Sequence, residues 1–532
     1  MRFVAASIFW SICIFAQATD EACSVEGTVV NSATGEPIKK ARVTPRPMGQ
    51  DAVPYGTTTD AKGHFLIDEV DAGRYRLSAF RNGYTGPRKS DAALTLEKGQ
   101  KIKELVLKLA PEGVISGRVV DGDGDPMPYV EVACMSAGYE NGRRGLIVHN
   151  AANTNDLGEF RLPGLTAGKY LLRATFQQQN ASGNVQRRPV RTTAEETYVT
   201  TYYPHAMNPS SATAIEVSPG AQISGINLTG MRAQTLHVKG RVGAATVVHA
   251  MPIWLSLEPR DDLQSGMPGL SAAVDGHGDF QVNGVVPGWY VLRASCMARD
   301  GKVYSGRMPV EVRDSNIEGI ELELRPPRKL RGRVIIEDKG DLQGASLYVQ
   351  IQGKDQSLVM GSGPAQVKED LTFESNYIGV GPYDFDVHGY PENFYFKSIR
   401  IGDQDVTETG VDFAEDAAGE LTFVLSPNGG VVEGSVQNAK DKAAAGAKIT
   451  LIPDAKHRSS RLRYKTVDAD QKGRFVIKGV APGEYKIYAW EDIEEGAYQD
   501  PDFMKAHESE GKTVSIKERG HETVELKAIP ER

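Results

Sequence analysis

Cysteine is scarce, with four in 532 residues: Cys13 falls in the first apolar run, and Cys23, Cys134 and Cys296 are widely spread. Scattered thiols build no disulfide framework, so stability has to come from burial. Long apolar runs are missing after Phe3 to Phe15, and that run is itself too short to span a bilayer comfortably. It follows Arg2 and leads into Ala16-Gln17-Ala18, the pattern of a secretory signal cleaved after Ala18. Asp20, Glu21 and Ala22 before Cys23 make no lipobox. An excess of one charge is also lacking: 61 Lys and Arg against 69 Asp and Glu give a net charge of -8, mild for this length. That balance argues against a nucleic-acid partner.

Catalytic signatures are missing as well. His507-Glu508 and His521-Glu522 each lack the second His of a zinc helix. There is no Gly-x-Ser-x-Gly elbow, and Gly511-Lys512-Thr513 has Ala506 where a phosphate loop needs its first Gly. Asp121-Gly122-Asp123-Gly124-Asp125 starts like a calcium loop, but Pro126 occupies the required Gly position and Val132 that of the bidentate acid. It reads as a loop between strands. The expectation is a protein without catalysis, metal or cofactor.

What is present is repetition. Asp275-Gly276-His277-Gly278-Asp279-Phe280 is followed by Gly288 and Tyr290, eight and ten residues after Phe280. The same spacing recurs from Asp60 through Phe65, Gly73 and Tyr75, from Asn155 through Phe160, Gly168 and Tyr170, and from Asp470 through Phe475, Gly483 and Tyr485. A fainter copy, Phe373, Gly381 and Tyr383, has Leu371 where the others have Gly. About 40 residues before each Phe lies an alternating Gly-x-Val segment: Val25 to Val29, Ile115 to Val119, Val238 to Val242, Leu330 to Val334 and Val432 to Val436. The period of roughly 95 to 120 residues suits independent β-sandwiches and is too long for a solenoid.

The reading is an all-β chain of about five antiparallel sandwiches after a signal peptide at 1–18. They cover 19–110, 111–231, 232–326, 327–426 and 427–532, joined by short proline-stiffened links such as Arg325-Pro326-Pro327-Arg328. The Asp and Gly make a tight turn, and the Phe after it points into the core. Each Tyr opens the next strand with its ring buried and its hydroxyl aimed at a nearby backbone carbonyl, as in a tyrosine corner. The last strand, Val524 to Ile529, is expected to end the chain without a sorting motif or anchor.

The Gly-x-Val start, the Thr34-Gly35-Glu36-Pro37 loop, the Asp-x-x-Gly-x-Phe turn and the Pro-Gly-x-Tyr turn resemble the carboxypeptidase regulatory-like domain. That domain is a prealbumin-like, Ig-like sandwich grouped near starch-binding and Cna-B-like modules. The resemblance implies no peptidase activity, because the domain accompanies a peptidase without containing its active site. The whole architecture is similar to secreted multi-domain proteins of acidobacteria. A Cna-B-type Lys crosslink is not expected throughout, since only Lys239 places a Lys in the starting segment.

Two segments exceed what a sandwich requires. From Gln177 to Pro209, Arg187, Arg188 and Arg191 precede Tyr198, Tyr202, Tyr203 and His205. From Trp490 to Phe503, Glu491, Asp492, Glu494, Glu495, Asp500 and Asp502 accompany Trp490, Tyr498 and Phe503. Their aromatics suit sugar stacking or a protein partner, and packing onto their own sandwich is the plainer use. The sequence therefore points to an exported, periplasmic or extracellular binding scaffold with a polysaccharide or envelope protein as partner. The alternatives are a structural envelope protein and an accessory subunit of an outer-membrane transporter or peptidase.

Overall fold

The computed structural model describes residues 22–47, 56–86, 92–140, 142–176, 196–243, 252–260, 269–299, 301–342, 344–354, 363–413 and 419–530. The signal sequence, Arg187, Arg188 and Arg191 lie outside them. Two compact units result, Met1–Ala110 and Pro111–Arg532.

In the first unit, Cys23–Asn31 lies at the centre of one sheet, antiparallel to His64–Val70 and parallel to Lys101–Pro111. A second sheet pairs Gly73–Phe80 with Arg42–Pro47 and Ala92–Leu96. The core between them holds Val25, Phe65, Tyr75 and Leu77. One short segment of sequence thus supplies both inner faces.

The second unit repeats this plan four times, as modules 2 to 5 in chain order after the first unit's module 1. Its central strands are Gly113–Val120, Leu236–Gly243, Arg328–Ile336 and Gly430–Gln437, each between an antiparallel and a parallel neighbour. The glycine in each has a steric cause: a Cβ on Gly27, Gly117, Gly240, Gly332 or Gly434 would overlap the carbonyl oxygen of Leu105, Ile226, Ile320, Leu421 or Val524 on the parallel strand. The Gly-x-Val motif marks this close approach.

The turn before each Phe is equally uniform. Oδ1 of Asp60, Asn155, Asp275 and Asp470 accepts from backbone N–H groups two and four residues on, at 2.8 to 3.0 Å. Asp121 makes the same bonds to Asp123 and Asp125, so the calcium-like segment is an Asx turn. Module 4 keeps the geometry without its glycine. Leu371 sits at φ 62°, against 72° for Gly63, and its carbonyl accepts from Val334 as that of Gly63 does from Val29.

All five Phe rings and all five Tyr rings of the repeat are buried. Cys23, Cys134 and Cys296 are buried free thiols. Burial pushes the Cys134 thiol up to about 12. Among the described residues no helix is long and apolar enough to cross a membrane.

Within the second unit the modules are in contact. Gly284 of module 3 lies against Thr197 of module 2, and the Val380 amide of module 4 donates to Ser305 of module 3 at 3.1 Å. Between modules 4 and 5, Ser459 donates to Glu408 at 2.8 Å and Lys478 pairs with Glu392 at 3.1 Å. Asn428 donates to Asp338 at 2.6 Å across the same joint. The step from module 2 to module 3 is a packing contact, and polar bonds join module 3 to 4 and 4 to 5.

Candidate functional site

The module 5 segment is built on the strand Gly483–Trp490. Alternation sends Tyr485, Ile487 and Ala489 into the sandwich, leaving Tyr488 and Trp490 on the outer face. A second small core covers them, made with Ile452, Tyr498, Met504 and Ile529. The Trp490 ring stacks on Tyr488 at 5.6 Å, and its Nε1 donates to Thr450 Oγ1 at 2.9 Å. The single turn Pro501–Lys505 is capped by Asp500, which accepts from the Phe503 amide at 2.8 Å. His507 sits edge-on to Trp490 and bonds Glu510 through Nδ1 at 2.6 Å.

Glu495, like Asp500, is committed locally. Tyr498 donates to Glu495 at 2.6 Å, and Lys448 donates to the other Glu495 oxygen at 3.2 Å. Burial, with the bond to Glu495, raises the Tyr498 pKa. Among the described residues no cluster of His, Cys, Asp and Glu is arranged to hold a metal. Beside the small core lies a cavity of about 310 Å³, walled by Ile452, Tyr464, Tyr488, Tyr498 and Met504 and edged by Arg458, Asp502, Lys505 and Glu508.

The same segment reaches module 2. Phe503 meets Tyr139 edge-on at 5.9 Å, Gln499 packs on Gly142, and Glu494 lies against Gly138. Burial raises the Tyr139 pKa, and the negative charges of Asp500 and Glu494 raise it further against the opposing effect of Arg144. Tyr139 is the penultimate residue of the strand Glu131–Glu140, in a long hairpin with Arg143–Asn153. Its role was not read from the sequence, where the only signal is the Asn-Gly turn pair at positions 141 and 142.

In module 2 the tyrosines spread over their own sandwich. Tyr202 is buried with Met135 and Ala206, and its amide donates to the Ala206 carbonyl at 2.7 Å. Tyr203, joined to Pro204 by a cis peptide, is half-buried against the module core. Tyr198 lies between Phe176, at 5.3 Å, and the Arg232 guanidinium, which donates to its hydroxyl at 2.9 Å. His205 is exposed. Trp490, Tyr498 and Phe503 are therefore brought together in module 5, while Tyr198, Tyr202, Tyr203 and His205 form no single cluster.

A family model for the carboxypeptidase regulatory-like domain matches residues 24–109 and 114–202. Modules 1 and 2 are thus similar to that domain along most of their length. A second model, described as polysaccharide lyase family 4, domain II, matches residues 437–523 in module 5. No curated protein matches the chain.

Among solved structures, the Bacillus anthracis TIE protein is 15% identical over 57% of this chain and 51% of that one, with a TM-score of 0.17. The minor pilin GBS52 of Streptococcus agalactiae is 12% identical over 40% of this chain and 97% of its own, at 0.23. A variant of BcpA, the major pilin subunit of Bacillus cereus, is 9% identical over 95% and 98%, at 0.16. The alignment spans about half of the TIE protein, and at these scores none of the three likenesses extends to function. The two modules with this match are all-β sandwiches set in tandem with three more of the same plan.

Proposed function

We propose that this protein is a non-catalytic exported scaffold, with modules at 19–110, 111–231, 232–326, 327–426 and 427–532, the last four held as one body. The observation that carries this reading is the module 5 segment. Its aromatic side chains, with Glu495 and Asp500, are engaged in covering Tyr488 and Trp490, capping a helical turn and meeting Tyr139 of module 2. Sequential joints from module 2 to module 5, plus this return contact, make a closed circuit. A body so fixed presents its surfaces in constant relation, as a scaffold for an envelope partner requires. Small-angle scattering of the mature chain tests it. The profile should fit with residues 111–532 treated as one body, and a profile that requires independently moving modules within 111–532 would refute it.

Carbohydrate is the ligand we propose. The cavity walled by Tyr464, Tyr488 and Tyr498 supports it, as does the match of this module to a domain named for a polysaccharide lyase family. In module 2, Tyr198, Tyr203 and His205 are the residues proposed to face ligand. Tyr202 in module 2, and Trp490, Tyr498 and Phe503 in module 5, are proposed to support the ligand-facing surfaces of their own modules.

A further inference from the structure

Of the four tryptophans, Trp490 is buried, whereas Trp254 and Trp289 are 52% and 51% exposed. Both stand on one sheet of module 3, in the strands Trp254–Pro259 and Gly288–Met297. Leu255, Leu257, Tyr290 and Leu292 of these strands enter the core, so the intervening Trp254 and Trp289 project from the opposite, outer face. Trp254 pairs with Ser295, six positions along the neighbouring strand from Trp289. At the rise of an extended strand, the two indoles are roughly 20 Å apart.

Nothing in the fold asks for tryptophan at either place. At the register position of Trp254 the other modules carry Arg42, Glu131, Tyr348 and Lys448. At that of Trp289 they carry Arg74, Lys169, Pro382 and Glu484. The exposed indoles gain module 3 no core and cost it hydration.

The strip between them is internally neutral, with Val291 and Arg293 lying on it between the rings at 5% and 8% exposure. Arg293 pairs with Glu258 at 3.0 Å, Arg313 with Glu311 at 2.8 Å, and Arg307 is also engaged. Ser256, Ser271 and Ser295 add hydroxyls to the same face. A charged partner would find its counter-charges already taken. A second copy of the chain is a poor fit too, because a stable protein interface needs a broad contiguous centre of exposed apolar surface and here two exposed rings stand roughly 20 Å apart across ion pairs and serines.

We propose that this face binds an extended, uncharged polysaccharide, one indole stacking on a sugar ring at each end and the serine hydroxyls of the strip hydrogen-bonding the sugars between. The inference rests on the carbohydrate reading of the chain but uses none of the residues named for it. The mature chain should be tested by affinity electrophoresis against soluble neutral glucan, xylan and galactomannan, beside Trp254→Ala, Trp289→Ala and the two Trp→Tyr variants. At least one polymer should retard the wild type, and each Ala variant should weaken binding roughly tenfold while Tyr restores most of it. Thermal unfolding should be unchanged, since both rings are outside the core. Undiminished binding by both Ala variants would overturn this site and leave the carbohydrate reading standing. A wild type that binds none of the polymers would overturn both. Self-association lost in the Ala variants, without polymer binding, would assign the face to a second copy instead.

Discussion

At the residue scale, the recurring tyrosine shows how a single hydroxyl serves the fold. The hydroxyls of Tyr170, Tyr290 and Tyr485 donate to the carbonyls of Thr166, Val286 and Ala481, four residues back, at 2.8, 2.8 and 2.9 Å. The ring fills the core and the hydroxyl closes the turn ahead of its strand. Tyr485→Phe should therefore cost about 1 kcal/mol, the worth of one hydrogen bond. Tyr485→Ala should cost about 3 to 5 kcal/mol, because the ring volume goes too. Urea unfolding of the mature chain reads both, and no loss in the Phe variant would remove the bond from the account. Alkaline pH gives a second check. Burial pushes Tyr485, Tyr390 and Tyr464 up to about 12 from an ordinary 10.0. Because the folded values lie above the unfolded ones, the stability they hold is complete below pH 10 and lost as pH rises toward 12. Tyr485→Phe should flatten that decline.

At the scale of elements, the close approach of two parallel strands sets a harder limit than any turn. A Cβ on Gly434 would overlap the Val524 carbonyl and also crowd the Phe475 ring. Backbone on one side and core on the other leave little room to relax. Gly434→Ala is therefore expected to cost about 3 kcal/mol, at the upper end for overpacking, and an unfolding midpoint equal to wild type would show that the strands can part. This constraint is local and recurs, which is why Gly-x-Val, Phe and Tyr were legible as a repeat and led to tandem sandwiches. The Asx turns were legible for the same reason. Leu371 shows the limit of pattern: its backbone keeps the left-handed turn although the residue no longer signals it. The long segments were visible as excess over the repeat. Their contacts were not, because the pairing of Tyr139 with Phe503 joins residues far apart in sequence and follows no period. The shared face of Trp254 and Trp289 needed the strand register as well.

At the scale of the whole molecule, the second unit depends on whether its return contact is energetic or incidental. Tyr139 and Phe503 meet edge-on, and the acids beside Phe503 perturb the Tyr139 phenol, so packing and electrostatics both register the contact. An aromatic pair of this geometry is worth about 0.5 to 1.5 kcal/mol beyond area burial. Phe503, however, also packs on Trp490 at 5.9 Å and His507 at 4.9 Å. Phe503→Ala alone would thus loosen module 5 itself and could not isolate the joint. A double-mutant cycle with Tyr139→Ala can. If the joint holds modules 2 and 5 together, the cycle should return a coupling of about 1 kcal/mol. Each single variant should also expose the Glu131–Glu140 and Arg143–Asn153 hairpin to faster hydrogen exchange, with the cores of modules 3 and 4 unaffected. Additive energies with unchanged exchange would mean that the two modules merely touch, and that the rigidity of the array comes from the sequential joints at Ser305, Glu408 and Asp338.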